Sequence, residues 1–222
     1  MAPVVATIER YGPSTVPVLA DRIRRVLGEG GLIALPTESF YGLAVAPSDE
    51  QALARLWKLK GRSKGKPILV LIGDESQVRP LVQSIPPAAT VLMNAFWPGP
   101  LTIVFPAAIG LSDGVTAGTC SVGIRLSAWQ PLYDLLRRVG PVTGTSANRE
   151  GMPPPTTAEE VRHSLGDALD LIVDAGPTPG GRPSTVIDVQ GSIRIIRDGA
   201  IDRDTITAQL VAHGLCLDPD SR

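Results

Sequence analysis

The chain has 222 residues, of which 43% are hydrophobic and 19% charged, a composition typical of a globular protein rather than a disordered one. Its formal net charge of -1 excludes a broad basic surface for nucleic acid, although a local basic patch is compatible with it. Cys120 and Cys216 lack the spacing of metal ligands and the C-x-x-C redox pattern. The first residues lack the pattern of a secretory signal, and no apolar run approaches the roughly 20 residues of a membrane helix. We therefore expect a cytoplasmic protein without a membrane segment.

Helix patterns recur along the chain. Apolar residues at helical spacing predict a first helix over Thr15–Glu29. The pairs Ser48 with Gln51 and Thr157 with Glu160 each fit a capping box, which marks the start of a helix. Further helices are predicted near Ala88–Phe96, Pro131–Val139 and Asp204–His213.

Short apolar runs predict the strands, and several are nearly all apolar, as expected for strands covered on both faces. The predicted strands are Leu32–Leu35, Pro67–Ile72, Leu101–Phe105, Val122–Leu126, Val142–Thr145, Leu169–Val173, Thr185–Val189 and Ile193–Arg197. Strands and helices alternate in the first half, whereas the end of the chain is rich in strands. The pattern predicts one α/β domain over residues 1–222, with a mixed sheet flanked by helices.

The segment PTESFYG, Pro36 to Gly42, follows the first predicted strand and carries a cluster of hydroxyl groups. Thr37, Ser39 and Tyr41 are able to hydrogen-bond a ligand at the end of that strand. Turns also favour proline, serine and glycine for backbone reasons, so a purely structural loop is an equal alternative.

The segment KGRSKGKP, Lys60 to Pro67, places cations at every second position, at Lys60, Arg62, Lys64 and Lys66. In an extended loop these cations would lie on one side and bind an anion. An arginine suits bidentate recognition of phosphate, whereas lysines act as point charges. The alternative is a solvated run of charge between a helix and a strand. The segment is not a P-loop, because the G-x-x-x-x-G-K-[ST] pattern is missing.

The apolar strand SVGIR, Ser121 to Arg125, contains a charged residue. Burying a lone guanidinium is unfavourable without a partner. Arg125 therefore either pairs with a structural carboxylate or faces an anionic ligand.

Two later segments are also rich in small and hydroxyl-bearing residues. TGTSANREG, Thr143 to Gly151, offers backbone donors against which a nucleotide could lie, or it forms a turn or helix cap. In PSTVIDV, Ser184 is either a ligand-binding residue or the start of a strand. Arg197 either binds phosphate or pairs with Asp188 or Asp198.

These residue types indicate a reaction class. His163 and His213 lie outside every segment above, and the chain has no Ser-His-Asp order and no metal-type cluster. Arginine, lysine and hydroxyl groups suit catalysis by positioning and charge neutralisation, as in phosphoryl or nucleotidyl transfer. No protein-held metal is predicted, since Mg²⁺ retains waters and would be bound mainly by nucleotide phosphates. A metal role for Glu38, the carboxylate of the first segment, is left open.

Taken in order, GLIALPTESFYGLA, LKGRSKGKPILVLI, WPGPLTIVF, TAGTCSVGIRL, GTSANREGMPPPTTAEEV and STVIDV with RDGAI resemble the YrdC-like family of threonylcarbamoyl-adenylate synthases. The resemblance runs from about Thr15 to about Gly199. It implies synthesis of threonylcarbamoyl-adenylate and pyrophosphate from L-threonine, bicarbonate and ATP, with Mg²⁺ carried by the ATP. It also implies an α/β domain whose twisted mixed sheet lines a concave, electropositive cavity.

The resemblance further implies a role for individual residues. Lys60 and Arg62 are implied as the catalytic pair at the phosphates and the carbamate. The residues implied for L-threonine and bicarbonate are Thr37, Ser39, Tyr41, Arg125, Gly144 and Ser184. Those implied for ATP are Arg62, Lys66, Ser121, Ser146, Asn148 and Arg197. The product would serve the modification of tRNA, so partner proteins of a tRNA-modification complex and direct contact with tRNA are expected.

The chain departs from the family pattern at several positions. Ser63 stands where the family usually has proline, and Leu71 stands where some members have a histidine near the bound threonine. Asp198 replaces the proline of the family's R-P-G motif. One alternative is a non-catalytic RNA-binding or translation-associated protein that uses the same cationic surface. The others are a related adenylate chemistry that uses carbamoyl phosphate, and a biosynthetic enzyme acting on another amino acid.

Overall fold

The computed structural model describes residues 6–61 and 67–219. Within these ranges the strands are β1 (Thr7–Arg10), β2 (Ile33–Pro36), β3 (Tyr41–Ala44), β4 (Leu69–Ile72), β5 (Leu101–Pro106), β6 (Ser121–Leu126), β7 (Val142–Ser146), β8 (Leu171–Asp174), β9 (Thr185–Asp188) and β10 (Arg194–Arg197). The helices are α1 (Val16–Gly28), α2 (Glu50–Lys60), α3 (Pro87–Phe96), α4 (Asp113–Thr116), α5 (Gln130–Val139), α6 (Ala158–Leu165) and α7 (Arg203–Ala212). Over the same ranges, no helix has both the length and the apolar character needed to cross a membrane.

The described strands form one sheet in the order β1-β8-β2-β3-β7-β4-β6-β5-β9-β10. Four neighbouring pairs run parallel, namely β1 with β8, β8 with β2, β4 with β6 and β5 with β9. The other neighbouring pairs run antiparallel. The predicted α/β class with a mixed sheet and flanking helices is therefore confirmed.

One face of this sheet carries the larger hydrophobic core. Successive residues of a strand point to opposite faces, so alternate apolar residues share one side. On this side Val70, Ile72, Val122 and Ile124 pack with buried residues of α2, α3, α4, α6 and α7. The helices thus cover this face and leave the opposite one for other contacts.

The opposite face is covered only in part. Helices α1 and α5 pack together over β2, β8 and the start of β7, with Ile33, Leu171 and Val142 buried beneath them. Leu71 marks the border, because it belongs to this second core and also lines the cavity described below. Among the described residues, the core formed with α1 and α5 includes none from β6, β5, β9 or β10. The uncovered area is where the candidate site lies.

Of the two capping boxes predicted from the sequence, the structure contains one. The capping box of α6 is confirmed, since the Thr157 hydroxyl and the Glu160 carboxylate accept hydrogen bonds from each other's backbone amides. The box at Ser48 is wrong, because Asp49 is the N-cap of α2 and its carboxylate accepts from the Gln51 amide at 2.9 Å. Both a serine hydroxyl and a carboxylate can cap a helix. Only the carboxylate also brings a negative charge to the positive end of the helix dipole.

The sequence pattern misses two strands, β1 and β3. β1 pairs with β8 at the edge of the sheet, and its residues are mostly exposed, so it has no apolar signal. β3 follows the PTESFYG loop at once and runs antiparallel to β2, with Gly42 opposite Leu35. That loop is therefore the turn of a hairpin, and the pairing of β2 with β3 holds both of its ends.

Gly199 packs directly on the backbone that leads into β9. A Cβ at this position would lie 2.2 Å from the amide nitrogen of Thr185 and 2.3 Å from the carbonyl carbon of Ser184. We expect Gly199→Ala to lower the free energy of unfolding by about 1–3 kcal/mol, because this segment must move away from the sheet. Urea unfolding measures the change.

The matched control for this prediction is Gly28→Ala. A Cβ at Gly28 would meet no atom within 4 Å, so no loss of stability is expected there. Equal unfolding midpoints for the two variants would contradict the close approach of Gly199 to β9.

Candidate active site

A cavity of about 850 Å³ lies over the uncovered part of the sheet, a size within the usual range of small-molecule sites. Alternate residues of adjoining strands form its floor, among them Leu69, Leu71, Gly123, Arg125, Gly144 and Val186. A Cβ on Gly144 would lie 2.8 Å from Cδ1 of Leu71 and 2.9 Å from Cδ1 of Leu69. The glycine therefore lets both leucines pack against the strand and keeps the floor free of a further side chain.

Most of the site residues predicted from the sequence come together here. Those that line the cavity are Thr37, Ser39, Tyr41, Ser121, Arg125, Gly144, Ser146, Ser184 and Arg197. Lys60 and Asn148 do not line it but are hydrogen-bonded to Ser146. Arg62 and Lys66 lie outside the described residues, so their predicted roles stay predictions.

Arg125 is buried in the cavity floor, with only 5% of its surface exposed. Its Nη2 forms an ion pair with Oε1 of Glu38, and its Nε donates a hydrogen bond to the carbonyl of Gly99 at 3.2 Å. Burial lowers the pKa of this guanidinium, and the Glu38 carboxylate opposes that shift. The first alternative, a structural carboxylate partner, is therefore confirmed for Arg125; the residue also lines the cavity, and its contact with an anionic ligand stays a prediction.

Glu38 is the site residue that the sequence interpretation missed. Its second carboxylate oxygen, Oε2, accepts a hydrogen bond of 2.7 Å from the Ser127 hydroxyl. The sequence contained a signal for this ion pair. The segment PTESFYG carries a single acidic residue and no basic one, and the strand SVGIR carries a single basic residue and no acidic one. A buried arginine requires an opposite charge, and Glu38 is the charge that meets it.

Arg197 at the end of β10 lies at the same cavity. Its Nη2 donates to the carbonyl of Ser184 at 2.7 Å and contacts the Ser184 hydroxyl at 3.1 Å. That hydroxyl also shares a hydrogen bond of 2.9 Å with Thr102. Burial and, secondly, the nearby positive charge of Arg125 lower the pKa of Arg197. An arginine held by neutral groups next to another arginine is suited to bind an anion.

The predicted acidic partners of Arg197 are wrong for the described part of the chain. Asp188 pairs with Arg194 instead, at 3.7 Å, and Asp198 forms no ion pair among the described residues. The charge of Arg197 is therefore not neutralised by either carboxylate. The electropositive character predicted for the whole cavity depends also on the cations of residues 62–66, which lie outside the described ranges, and it stays a prediction.

Lys60 is buried at the end of α2, with 4% of its surface exposed. Its Nζ donates to the backbone carbonyls of Ser146 at 2.7 Å and Asn148 at 2.6 Å. The side-chain oxygens of the same two residues lie 3.3 and 3.1 Å from Nζ. A buried ammonium needs such acceptors. In this structure Lys60 therefore acts on the cavity indirectly, by fixing the loop that follows β7.

The loop between β2 and β3 is held by one of its own hydroxyl groups and by that of Thr178. The Thr37 hydroxyl donates to the carbonyl of Phe40 at 2.7 Å, and the Thr178 hydroxyl donates to the carbonyl of Ser39 at 2.9 Å. Among the described residues, the Ser39 hydroxyl has only a long contact of 3.4 Å with the Thr37 hydroxyl. Of the Thr37 and Ser39 hydroxyls, that of Ser39 is thus better placed to bind a ligand.

Tyr41 lines the cavity, but its hydroxyl is hydrogen-bonded inside the protein. Its side chain is fully buried in the larger core together with Leu43, and its hydroxyl donates to the carbonyl of Gly176 at 2.8 Å. Burial raises the pKa of Tyr41 to about 12, and the charge of Asp174 adds to this shift. The residue borders the cavity, but its hydroxyl is committed to the core and is not offered to a ligand.

Ser121 lies at the far end of β6 from Arg125. Its hydroxyl donates to the carbonyl of Thr119 at 3.1 Å and accepts from the Gln190 amide at 3.0 Å. Asp188 lines the cavity at this end as well. Because a strand rises by about 3.3 Å per residue, Ser121 and Arg125 are roughly 13 Å apart along one face. The cavity therefore presents separate polar groups to the two ends of an extended ligand.

The donor set does not fit a metal held by the protein. Within residues 6–61 and 67–219, no group of three or more histidine, cysteine, aspartate or glutamate side chains is arranged to hold a metal ion. Among the described residues, Asp188 is the carboxylate that lines the cavity, and it pairs with Arg194, while Glu38 beside the cavity pairs with Arg125. A metal at this site would have to arrive on a ligand.

The loop after β7 should depend on the ammonium group of Lys60. We expect Lys60→Met to lower the free energy of unfolding by about 1–3 kcal/mol, because two backbone carbonyls lose a charged donor. Urea unfolding measures this change. Lys58→Met is the matched control, since Lys58 is exposed on the same helix. Similar losses in both variants would show that Lys60 does not hold the loop.

The buried phenol of Tyr41 predicts a specific loss of stability at high pH. Its pKa rises from the ordinary value of 10.0 to about 12 in the folded protein. The folded state therefore favours the neutral phenol, and this stabilising contribution is complete below about pH 10 and is lost as the pH rises towards 12. Urea unfolding between pH 9 and 12 should show a steeper fall for the wild type than for Tyr41→Phe. Parallel curves would contradict the shift.

Comparison with known proteins places these features in a family. Residues 25–199 match the family model of Sua5, YciO and YrdC, described as "Telomere recombination". A putative threonylcarbamoyl-AMP synthase of Mycobacterium tuberculosis is 36% identical over 182 residues, which cover 82% of this chain and 84% of that protein. The threonylcarbamoyl-AMP synthase of Bacillus subtilis is 39% identical over 186 residues, which cover 82% of this chain and 54% of that protein.

A solved structure agrees with these relatives. The structure of Pyrococcus abyssi Sua5 complexed with L-threonine superposes with a TM-score of 0.83 at 31% identity, over 98% of this chain and 65% of that one. The chain thus spans about half to two thirds of the length of the Bacillus and Pyrococcus proteins. The family model covers most of the chain, and residues of several of the sequence motifs line one cavity. The chain therefore belongs to the Sua5/YciO/YrdC family, which includes the YrdC-like proteins that its sequence resembles.

Proposed function

We propose that the chain is a threonylcarbamoyl-AMP synthase, which forms threonylcarbamoyl-AMP and pyrophosphate from L-threonine, bicarbonate and ATP. The observation that carries this proposal is the meeting of Arg125, Arg197 and several hydroxyl groups in one cavity of a chain whose relatives bear that enzyme name. The cavity of about 850 Å³ is large enough for an amino acid and a nucleotide side by side.

The arrangement of charge supports two subsites. Arg125, fixed by Glu38 and Gly99, suits the carboxylate of the amino acid, and the hydroxyl of Ser39 lies near for the remaining polar atoms. Arg197 suits a phosphate, because neutral groups hold it and no carboxylate competes for it in the described part of the chain. Ser121 and Ser146 complete the nucleotide side, while Arg62 and Lys66 are proposed there from the family resemblance alone.

In the proposed reaction the protein supplies no nucleophile. The neutral amine of threonine combines with bicarbonate, forming a carbamate and releasing water. A carbamate oxygen then attacks the α-phosphorus of ATP, and pyrophosphate leaves with the bonding electrons of the broken P–O bond. Cations at fixed positions stabilise the charge that develops on the phosphate oxygens, which accounts for a site of arginines without a histidine.

Mg²⁺ is proposed to enter with ATP, because the described residues offer no ligand set of their own. Bound to the phosphates, it would neutralise part of their charge and orient the leaving group. Asn148 and Ser146 are proposed on the nucleotide side, where Lys60 fixes their loop through its hydrogen bonds.

We also propose that the product is passed on for tRNA modification in the cytoplasm, through partner proteins and with direct contact to tRNA. A purely RNA-binding role is less well supported, because Arg125 is buried in the cavity floor and paired with Glu38 rather than displayed on the surface. RNA-binding proteins present their cations where phosphates can reach them.

Release of pyrophosphate from MgATP tests the proposed function. Release should require both L-threonine and bicarbonate, so omitting either should reduce it to background. Arg197→Met should lower kcat/KM for ATP at least about tenfold, because a charge-assisted hydrogen bond contributes about 1.5–3 kcal/mol and about 1.4 kcal/mol is a factor of ten.

Arg194→Met is the matched control, since Arg194 lies on the same strand but pairs with Asp188 and does not line the cavity. It should retain most of the activity. Pyrophosphate release that ignores the omission of threonine and bicarbonate would refute the substrate set, and an unaffected Arg197→Met variant would refute the phosphate role of Arg197.

A further inference from the structure

The ion pair between Glu38 and Arg125 has unused hydrogen-bonding capacity on both sides. A guanidinium has five N–H donors. In Arg125, Nε donates to Gly99 and Nη2 faces Glu38, while Nη1 has no partner among the described residues. Since Arg125 lines the cavity, donors remain for an oxygen atom of a ligand.

Glu38 has a corresponding acceptor. Its Oε1 is buried against Arg125, whereas Oε2 accepts one hydrogen bond from Ser127 and keeps a further lone pair. The side chain is 21% exposed, and both neighbours in sequence, Thr37 and Ser39, line the cavity. A cationic donor from a ligand therefore has an acceptor next to the guanidinium.

This pairing is poorly suited to a simple carboxylate ligand. The charge of Arg125 is already balanced by Glu38, so a ligand with only a negative charge would meet an anion beside the cation it seeks. A zwitterion avoids this conflict, because its ammonium group meets the carboxylate while its own carboxylate meets the guanidinium. An α-amino acid has these two charges on adjacent carbon atoms.

We infer that Glu38 binds the ammonium group of the amino-acid substrate whose carboxylate is held by Arg125, so that the pair selects a zwitterion over an anion. This inference rests on the proposed function, which names the amino acid as L-threonine. Glu38 is thereby a specificity-determining residue of the amino-acid subsite, and Ser127 and Arg125 hold its carboxylate in place.

Calorimetric titration with two ligands tests the inference without relying on turnover. The first ligand is L-threonine, and the second is (2S,3R)-2,3-dihydroxybutanoate, in which a hydroxyl replaces the amine and the carboxylate is retained. The wild type should bind L-threonine at least about tenfold more tightly than the hydroxy acid, because only L-threonine forms a charge-assisted hydrogen bond between its ammonium group and Glu38. In Glu38→Gln this preference should fall to about threefold or less.

Glu50→Gln is the matched control, because it makes the same change at an exposed carboxylate of α2 that does not line the cavity. It should keep the preference for L-threonine. Glu38→Asp is the second variant, used if Glu38→Gln does not fold. It retracts the carboxylate by one methylene and should lie between the wild type and Glu38→Gln in its preference.

Two outcomes would overturn the inference. If Glu38→Gln, or Glu38→Asp in its place, weakens both ligands by the same factor, Glu38 only positions Arg125. If the wild type binds both ligands equally, the pair does not read the amine at all. Failure of the proposed function is a different result, because it appears as wild-type protein that releases no threonine-dependent pyrophosphate.

Discussion

A buried guanidinium in the middle of an apolar strand requires a carboxylate and further acceptors, because its removal from water is otherwise strongly unfavourable. Arg125 meets this requirement through Glu38 from the loop after β2 and the Gly99 carbonyl from the turn before β5. Three segments that are distant in the chain are thereby tied at one point. The ion pair fixes where the hairpin loop and the WPGP turn lie relative to the sheet, and it does so at the floor of the cavity.

The rest of the site follows from an uneven covering of the sheet. Helices cover one face, but α1 and α5 cover only part of the other, so alternate residues of the remaining strands face a cavity instead of a core. Glycines in β6 and β7 keep further side chains out of the floor, Arg125 supplies charge within the floor, and Arg197 supplies charge at the end of β10. Lys60 does not line the cavity, but it holds the loop that carries Ser146.

Such a cavity suits a reaction whose difficult step is bringing charged reactants together. In the proposed reaction, the protein provides fixed donors and cations, and the reactants provide the nucleophile and the leaving group. The same logic explains why the histidines are on the surface, where they contact no part of the cavity, and why the described residues form no metal cluster.

Much of the fold was predictable from the sequence because its signal is local. Period-two and helical spacing of apolar residues located most strands and helices, and the Thr157–Glu160 capping box is a contact between near neighbours. The edge strand β1 and the short strand β3 were not predictable, because their pairing partners, not their own residues, make them strands. Asp49 was missed as the cap of α2 because both Ser48 and Asp49 satisfy the sequence rule.

By itself the sequence determined the residue types of the site, the order of its motifs and hence the family. Only the tertiary structure decided what each residue does, because those roles depend on contacts between strands far apart in the chain. It placed the Tyr41 hydroxyl in the core, gave Lys60 a supporting position behind Ser146 and joined Glu38 to Arg125. Side-chain direction alternates along a strand, so a one-residue difference decides between core and cavity, and that choice is made by the pairing of strands.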